Sequence, residues 1–373
     1  MPPAVPLLLR TLKQTGGMPK HNFYAGPSIL PEAAIAAAVE GLKDFAGTGL
    51  PVVSISHRSA EWVEVMEAAQ ALVRRLLQVP DDYDVLFLQG GARQQFAQIP
   101  YNFLPSDGTA AYLDTGTWAS KAIAEARLFG DVHVVASGKE AKYRAIPKDY
   151  VIPTDAAYFH CTSNNTIYGT QMQAFPDSPV PMVCDMSSDI FSRPLNVEKF
   201  AVIYAGAQKN MGPAGTTLVI IRRDMPPVKG RAIPEIWDYR KHAAKGSMLN
   251  TPPVFAIYLS YLTLQWLETQ GGVAEIQRRN AEKAALLYEA IDSNPLFEGT
   301  AAPEDRSVMN ITFVLKRPEL EAEFLKMAAE ADIVGIKGHR SVGGFRASCY
   351  NALPKESVEA LVAVMDAFAE KYA

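Results

Sequence analysis

The chain has 373 residues, of which 48% are hydrophobic and 20% are charged, and its formal net charge at pH 7 is −4. This composition is typical of a folded protein with a sizeable core, and it gives no electrostatic reason to expect nucleic acid or an anionic membrane surface as a partner. Any site that binds an anion must therefore be a local arrangement of residues.

The cysteines and the N-terminus favour a cytoplasmic protein. Cys161, Cys184 and Cys349 are far apart in apolar stretches, which predicts buried thiols in a reducing compartment rather than disulfides. The first 20 residues lack the charged start of a secretory signal and are expected to form a disordered extension, although a targeting role for residues 1–17 stays open. The histidines show no spacing typical of metal ligands, so no metal is assigned.

Short apolar runs alternate with helical or loop segments between Tyr83 and Arg222. The predicted strands are Val85–Leu88, Ala110–Leu113, Val132–Ala136, Ala156–His160, Met182–Cys184, Ala201–Tyr204 and Thr217–Ile221. Near-continuous apolar runs are typical of strands buried on both faces of a parallel sheet. An amphipathic helix is predicted over 119–129, with Lys121, Glu125 and Arg127 on its polar side. The fold class is therefore α/β, with a mostly parallel seven-stranded sheet.

The pattern changes in the last third of the chain. Pro252 and Pro253 open a helical region that is predicted to run to about Ile291, since proline suits the first turn of a helix. Strands are then expected over 307–315 and 344–350, and helices over 318–330 and 354–372. We expect a large domain over 21–270, whose N-terminal segment contributes to a small α+β domain over 271–373.

Polar or glycine-rich segments follow nearly every predicted strand. In an open α/β sheet, ligands bind outside the carboxyl ends of the strands, so these segments indicate the site. Gly90-Gly91 leads from a strand into a helix and suits a phosphate, because backbone N–H groups and the helix dipole favour an anion there. This signal is weak alone, since ordinary tight turns also use glycine.

Three further residues suit a planar aldehyde cofactor. Lys209 follows a buried strand within a glycine-rich turn, where a desolvated amine can form a Schiff base. Asp185 precedes it by one strand–connection–strand unit and can pair with a ring nitrogen, and Trp118 can stack on the ring. Taken singly, each has an ordinary explanation, as a loop lysine, a turn-capping aspartate or a core tryptophan. The conjunction favours a cofactor site.

The ordered motifs resemble those of the phosphoserine aminotransferases, class-V members of the fold-type-I pyridoxal-phosphate enzymes. The resemblance runs from His21 to the C-terminus. The motifs are Asn22–Pro27, Ser56–Arg58, Gly90–Phe96, Asp185–Ser188, Ser192–Pro194, Gly206–Asn210, Asn250–Pro253 and Gly338–Ser348. Chance would supply one or two of them, not the ordered set.

The resemblance implies a role for each cofactor residue. Lys209 is similar to the lysine that carries pyridoxal 5'-phosphate and later moves the proton, Asp185 to the partner of the ring nitrogen, and Trp118 to the stacking ring. The phosphate is implied to be held by Ala92 and Arg93 through backbone N–H groups, helped by Thr166 and Gln208. Asn250 and Thr251 resemble residues that reach this phosphate from the other subunit, which implies a homodimer.

The substrate residues are also implied by the resemblance. Arg346 is similar to the residue that binds the α-carboxylate of the amino donor. His57, Arg58, His339 and Arg340 resemble the group that binds the substrate phosphate or the glutamate side chain, with His57 and Arg58 supplied by the partner subunit. Without the resemblance, Arg58 and Arg340 would be read as surface arginines.

The implied reaction is amino transfer between L-glutamate and 3-phosphohydroxypyruvate, giving O-phospho-L-serine and 2-oxoglutarate in serine biosynthesis. Activity on 4-phosphohydroxy-L-threonine, in pyridoxine biosynthesis, stays open. This sequence departs from the family pattern at three positions: the family usually has glycine at Ala92 and an acidic residue at Asn165, and Tyr168 is also unusual.

Three alternatives remain. One is another aminotransferase of the superfamily, such as alanine–glyoxylate aminotransferase, which has no need of the two histidine–arginine pairs. Another is a binding or regulatory protein that keeps the cofactor site without catalysis. The third, an unrelated α/β domain, predicts no cofactor uptake.

Overall fold

A seven-stranded sheet lies at the centre of the computed structural model, which describes residues 20–373. The predicted extension over residues 1–20 therefore lies outside the described residues, apart from Lys20. Along the chain, the sheet strands are β2 (Tyr83–Gln89), β3 (Thr109–Asp114), β4 (Asp131–Ser137), β5 (Phe159–Thr162), β8 (Met182–Asp185), β9 (Val202–Gly206) and β10 (Thr216–Arg222). Shorter strands precede and separate them: β1 (His21–Asn22), β6 (Asn164–Asn165) and β7 (Thr170–Gln171).

The spatial order is β2-β10-β9-β8-β5-β3-β4, and every pairing is parallel except the two made by β10. This confirms the predicted α/β class with a mostly parallel sheet. Because β10 runs against both of its neighbours, β2 points the same way as the other strands. The carboxyl ends of six strands therefore meet at one edge of the sheet.

Helices cover both faces of this sheet. One face packs against α1 (Glu32–Lys43), α2 (Ala60–Leu77) and α6 (Val254–Thr269), and the other against α3 (Ala92–Phe103), α4 (Thr117–Ala126) and α5 (Tyr239–Ala244). Side chains of β2 alternate between the two cores: Val85 and Phe87 lie in the first, Leu86 and Leu88 in the second. This burial on both faces explains why the strands are apolar throughout.

The C-terminal part has its own core. It contains α7 (Gly272–Ser293), α8 (Glu321–Glu330), α9 (Lys355–Tyr372) and a three-stranded antiparallel sheet of β11 (Phe297–Gly299), β12 (Asn310–Leu315) and β14 (Phe345–Ser348). Strand β1 pairs with β13 (Ile333–Val334), and Phe23 is buried in this core. Helix α7 belongs to both parts, since Ile276 lies in the core of the large sheet, whereas Ala284 and Leu287 lie in the C-terminal core.

Several predicted boundaries were wrong. The strand predicted over 156–160 lies at Phe159–Thr162, because only these residues pair with β8. The single helical region predicted from Pro252 to about Ile291 is two helices, α6 and α7, and α6 begins after the prolines, at Val254. The break falls at Gly271, whose φ of +98° is a left-handed conformation that favours glycine.

The three cysteines are buried and free, as predicted for core thiols. Across residues 20–373, no helix combines the length and the apolar character needed to cross a membrane.

Candidate active site

The carboxyl ends of the parallel strands open into a cavity of about 420 Å³. Nine of the predicted site residues line it together, although they are far apart in the sequence. They are Ala92, Arg93, Trp118, Thr166, Asp185, Gln208, Lys209, His339 and Arg346. Seven come from the last residue of a sheet strand or from the segments that follow the strands, and His339 and Arg346 come from the C-terminal part, so the cavity lies between the two cores.

Asp185 ends β8 and is buried, with 5% of its surface exposed. Its Oδ1 accepts two hydrogen bonds from Ser187, one from the backbone N–H at 2.9 Å and one from the hydroxyl at 2.6 Å. Burial raises the pKa of Asp185, while the nearby Lys209 ammonium and the Ser187 donors act to lower it. These contacts hold a carboxylate in a dry site with a fixed orientation.

Lys209 lies three residues beyond β9, and hydrogen bonds from Ser28 hold the backbone at this position. The Ser28 hydroxyl donates to the carbonyl of Lys209 at 2.6 Å, and the Ser28 N–H donates to the carbonyl of Gln208 at 3.0 Å. The Lys209 ammonium donates to the hydroxyl of Thr166 at 3.1 Å. The pKa of Lys209 is lowered to about 8, mainly by burial; the Asp185 carboxylate opposes this shift and the Arg346 cation adds to it. The neutral amine is therefore accessible near physiological pH.

The glycine turn after β2 places the start of α3 against the cavity. Gly90 has a φ of +86°, which favours glycine, and Gly91 is the N-cap of α3. The first-turn N–H groups of a helix have no intrahelical acceptor. Gly91, Ala92 and Arg93 all line the cavity, so this end of α3 presents free donors and the positive end of a helix dipole to an anion.

Trp118 lies in the first turn of α4, two residues after the tightly packed Gly116. A Cβ on Gly116 would lie 2.8 Å from Oδ1 of Asn165 and 3.1 Å from the ring of Tyr168. The hydroxyls of Thr117 and Tyr168 are hydrogen bonded at 3.1 Å. Asn165 and Tyr168 thus form the packing that holds the Trp118 turn.

Arg346 and His339 form the side of the cavity that belongs to the C-terminal part. Arg346 Nη1 donates to the carbonyl of Thr166 at 3.3 Å, while its buried Nε has no acceptor within residues 20–373. The pKa of His339 is lowered, first by desolvation and then by the cations Arg346, Arg340 and Lys121. Cationic groups therefore gather at this side of the cavity.

Five predicted site residues do not line this cavity: His57, Arg58, Asn250, Thr251 and Arg340. Arg58, Thr251 and Arg340 are exposed, and His57 and Asn250 are partly exposed. Thr251 nevertheless lies near the end of β2, because its carbonyl accepts from the Gln89 side chain at 2.6 Å. A single chain does not bring these five residues to Lys209.

Other cavity residues were not assigned from the sequence. Ser187 and Ser188 stood within a quoted motif, but their contacts depend on the folded chain. Asn164 also lines the cavity, and its side chain donates to the hydroxyl of Ser188 at 2.7 Å. Lys121 was predicted to lie on the polar side of its helix, and the structure shows that it lines the cavity.

Together these groups indicate which reactions and ligands the cavity can support. A partly deprotonated amine can bond covalently to a carbonyl carbon, and a buried carboxylate in the same cavity can stabilise a protonated ring nitrogen. Donors at the start of α3 can hold a phosphate, and Arg346 can hold a carboxylate.

Comparisons with known proteins agree with this chemistry. The model of the family described as aminotransferase class-V matches residues 20–361. A phosphoserine aminotransferase of Flavobacterium psychrophilum is 58% identical over 349 residues, covering 93% of this chain and 98% of that protein. The solved phosphoserine aminotransferase from Bacillus circulans subsp. alkalophilus has a TM-score of 0.93 at 46% identity, covering 96% and 100% of the two chains. A PLP-bound phosphoserine aminotransferase from Trichomonas vaginalis has a TM-score of 0.89 at 42% identity, covering 93% and 99%.

Proposed function

This chain belongs to the class-V aminotransferase family, and from that membership we propose that it is a phosphoserine aminotransferase. It transfers an amino group between L-glutamate and 3-phosphohydroxypyruvate, giving O-phospho-L-serine and 2-oxoglutarate, a step of serine biosynthesis. The observation that carries the proposal is that Lys209, Asp185 and Arg346 line one cavity, in a chain 58% identical to a protein of this name.

The cavity fits pyridoxal phosphate. When bound, this cofactor supplies an aldehyde that accepts the amino group and a ring that withdraws electrons from the reacting carbon. The backbone donors of Ala92 and Arg93, with Thr166 and Gln208 beside them, suit its phosphate. The half-buried ring of Trp118 suits its flat face.

The reacting groups of the chain then have distinct tasks. With the cofactor bound, the amine of Lys209 would be the residue that holds its aldehyde carbon, and in its neutral form it would take up and return the substrate proton. Asp185 holds the positive charge of a protonated ring nitrogen, and Ser187 fixes the carboxylate for that purpose. Because the site stores the amino group between two half-reactions, ping-pong kinetics are expected.

Arginine and histidine residues bind the substrate anions. The planar guanidinium of Arg346 suits the α-carboxylate, because it can donate two parallel hydrogen bonds to this group. His339, with Arg340 on the same loop, suits the distal phosphate or carboxylate. His57 and Arg58 complete this group from a partner subunit.

We infer that the enzyme is a homodimer whose active sites lie at the interface. In support, His57, Arg58, Asn250 and Thr251 lie outside the cavity of their own chain, and Nε2 of His57 is buried without a partner among residues 20–373. Exposed apolar side chains also cluster on α1 and the loop that follows it: Ile35, Val39, Leu42, Leu50 and Val53. An apolar patch of this kind is typical of a subunit contact.

We also infer a cytoplasmic location and a division into a large domain over 21–270 and a small domain over 271–373. Three buried, free thiols support a reducing compartment. Two separate cores support the domain division. Helix α7 contributes side chains to both cores, so the two domains share this helix.

The test is the visible absorbance spectrum of the purified protein, before and after phosphoserine is added, for the wild type and Lys209→Ala. We expect the wild type to show a bound-cofactor band that changes in a single turnover, and the variant to lack that exchange. Alanine serves as the comparison donor, and a preference for alanine would overturn the substrate assignment. A cofactor band that never responds to any amino donor would instead indicate a binding protein without catalysis.

A further inference from the structure

Lys121 faces the active-site cavity although it has no assigned role. It lies three residues after Trp118 on α4, and both residues line the cavity. The ammonium of Lys121 is 4.6 Å from the centroid of the Trp118 ring. An ammonium at this distance from an indole is attracted by the ring, which holds Lys121 at the cavity instead of in bulk water. One ring face remains for a planar cofactor.

The charges around the cavity are unbalanced. Within residues 20–373, Asp185 is the only carboxylate that lines it, and Asp185 interacts with Lys209. Lys121, Arg93 and Arg346 line the same cavity as cations. Within residues 20–373, no carboxylate oxygen of Asp or Glu lies within 4.0 Å of the Lys121 ammonium, so Lys121 forms no salt bridge there. Its charge is therefore available to a ligand.

Neighbouring donors are also without acceptors. The indole N–H of Trp118 and Nε of Arg346 are buried, and neither has a hydrogen-bond partner within residues 20–373. Buried donors usually have a hydrogen-bond partner, and an unpaired one destabilises the structure. The charge of Lys121 also acts on His339 and helps to lower its pKa, as do Arg346 and Arg340. This side of the cavity therefore favours a ligand with more than one anionic group.

We propose that Lys121 is a specificity-determining residue that binds the distal anionic group of the amino donor, the phosphate of phosphoserine or the side-chain carboxylate of glutamate. This inference rests on the proposed function. Since Arg346 suits the α-carboxylate, Lys121 is free for the second anion, and it comes from the same subunit as Lys209. A phosphate carries close to two negative charges at neutral pH, whereas a carboxylate carries one. Lys121 therefore favours phosphoserine over glutamate, and both over a donor with a neutral side chain.

The experiment measures the single-turnover half-reaction of holoenzyme with phosphoserine, glutamate and alanine, for the wild type and Lys121→Met. Methionine keeps the length of the side chain and removes its charge. A hydrogen bond between charged groups contributes about 1.5–3 kcal/mol, so the dissociation constant for phosphoserine should rise about tenfold or more. The constant for glutamate should rise less, and the reaction with alanine should be unchanged. Inhibition by inorganic phosphate should weaken in parallel, and Lys121→Arg should restore much of the affinity.

Arg127→Met is the matched control, because it removes an exposed cation from the end of the same helix, outside the cavity. It should leave all three donors unaffected. If Lys121→Met weakens all donors equally, or changes none of them, the inference is wrong. An unaltered visible spectrum in Lys121→Met shows that Trp118 and the cofactor are undisturbed. Failure of the wild type to react with phosphoserine would instead count against the proposed function.

Discussion

Ser187 donates two hydrogen bonds to the same oxygen of Asp185: its N–H and its hydroxyl both donate to Oδ1, at 2.9 and 2.6 Å. The Ser187 hydroxyl also accepts from the N–H of Gly206, at 3.1 Å. Oδ2 is thereby left for a ligand. Three backbone and side-chain groups thus fix the orientation of the Asp185 carboxylate.

Ser187→Ala should reduce turnover about tenfold or more, because it removes a hydrogen bond to a charged group and leaves the N–H of Gly206 unpaired. The hydroxyl lowers the pKa of Asp185, so its loss raises that pKa. The acid limb of the kcat profile should therefore move to higher pH. The measurement is kcat against pH, with the exposed Ser293→Ala as control. An unshifted acid limb would contradict the assigned role of Ser187.

Uptake of pyridoxal phosphate by apoenzyme should depend on the protonation of Lys209. Burial lowers its pKa from 10.5 to about 8, and only the neutral amine attacks an aldehyde. The uptake rate should therefore rise about tenfold per pH unit below pH 8 and level off above it. Stopped-flow absorbance measures this profile.

Two variants should move that plateau in opposite directions. Arg346→Met removes a cation that lowers the pKa of Lys209, so the plateau should move to higher pH. Asp185→Asn removes a carboxylate that raises this pKa, so the plateau should move to lower pH. Shifts in the same direction would show that the charges of this cavity do not set the amine pKa.

Gly116→Ala should weaken cofactor retention. The new Cβ would lie 2.8 Å from Oδ1 of Asn165 and 3.1 Å from the Tyr168 ring, so the turn before Trp118 must shift. Overpacking of this kind costs about 1–3 kcal/mol, and we expect about tenfold faster cofactor release, measured by dilution. Adding Asn165→Ala removes the nearer contact and should recover part of the loss. If the double variant releases cofactor as fast as Gly116→Ala alone, this packing is not the cause.

Lys283→Met should lower the free energy of unfolding by about 2–4 kcal/mol. The buried ammonium donates to the carbonyls of Cys349, Tyr350 and Leu353, at 3.2, 2.8 and 3.0 Å. Methionine leaves all three acceptors without this donor. Denaturant unfolding of holoenzyme measures the change, and the exposed Lys139→Met serves as control. Equal stability of the two variants would mean that these carbonyls find other donors.

The large sheet was predictable because its strands are buried on both faces and read as continuous apolar runs. The strand assigned to 156–160 was displaced because Ala156 and Ala157 are apolar yet precede the paired residues Phe159–Thr162. The two-residue strands β1 and β13 pair with each other from opposite ends of the chain, and no local pattern marks them. The break at Gly271 did have a signal, the Gly271-Gly272 pair, which the apolar pattern on either side obscured.

Much of the cavity was predictable for the same topological reason: residues after parallel strands meet at one edge, as Lys209, Asp185 and Trp118 do. The contacts of Ser187 were not, because its acceptor depends on how the chain turns after β8. The position of Lys121 at the cavity was not predictable, because helix periodicity separates the apolar from the polar face but does not show which polar residues line a cavity.

Helix α7 is a single rod of 22 residues, about 33 Å long, seated at one end beside the large sheet and at the other in the C-terminal core. Lys209 belongs to the first body and Arg346 to the second. A substrate bound by both residues therefore connects the same two cores that α7 joins. Between Ile276 and Ala284 the helix is tied to the segment 349–353 by the side chains of Asn280 and Lys283.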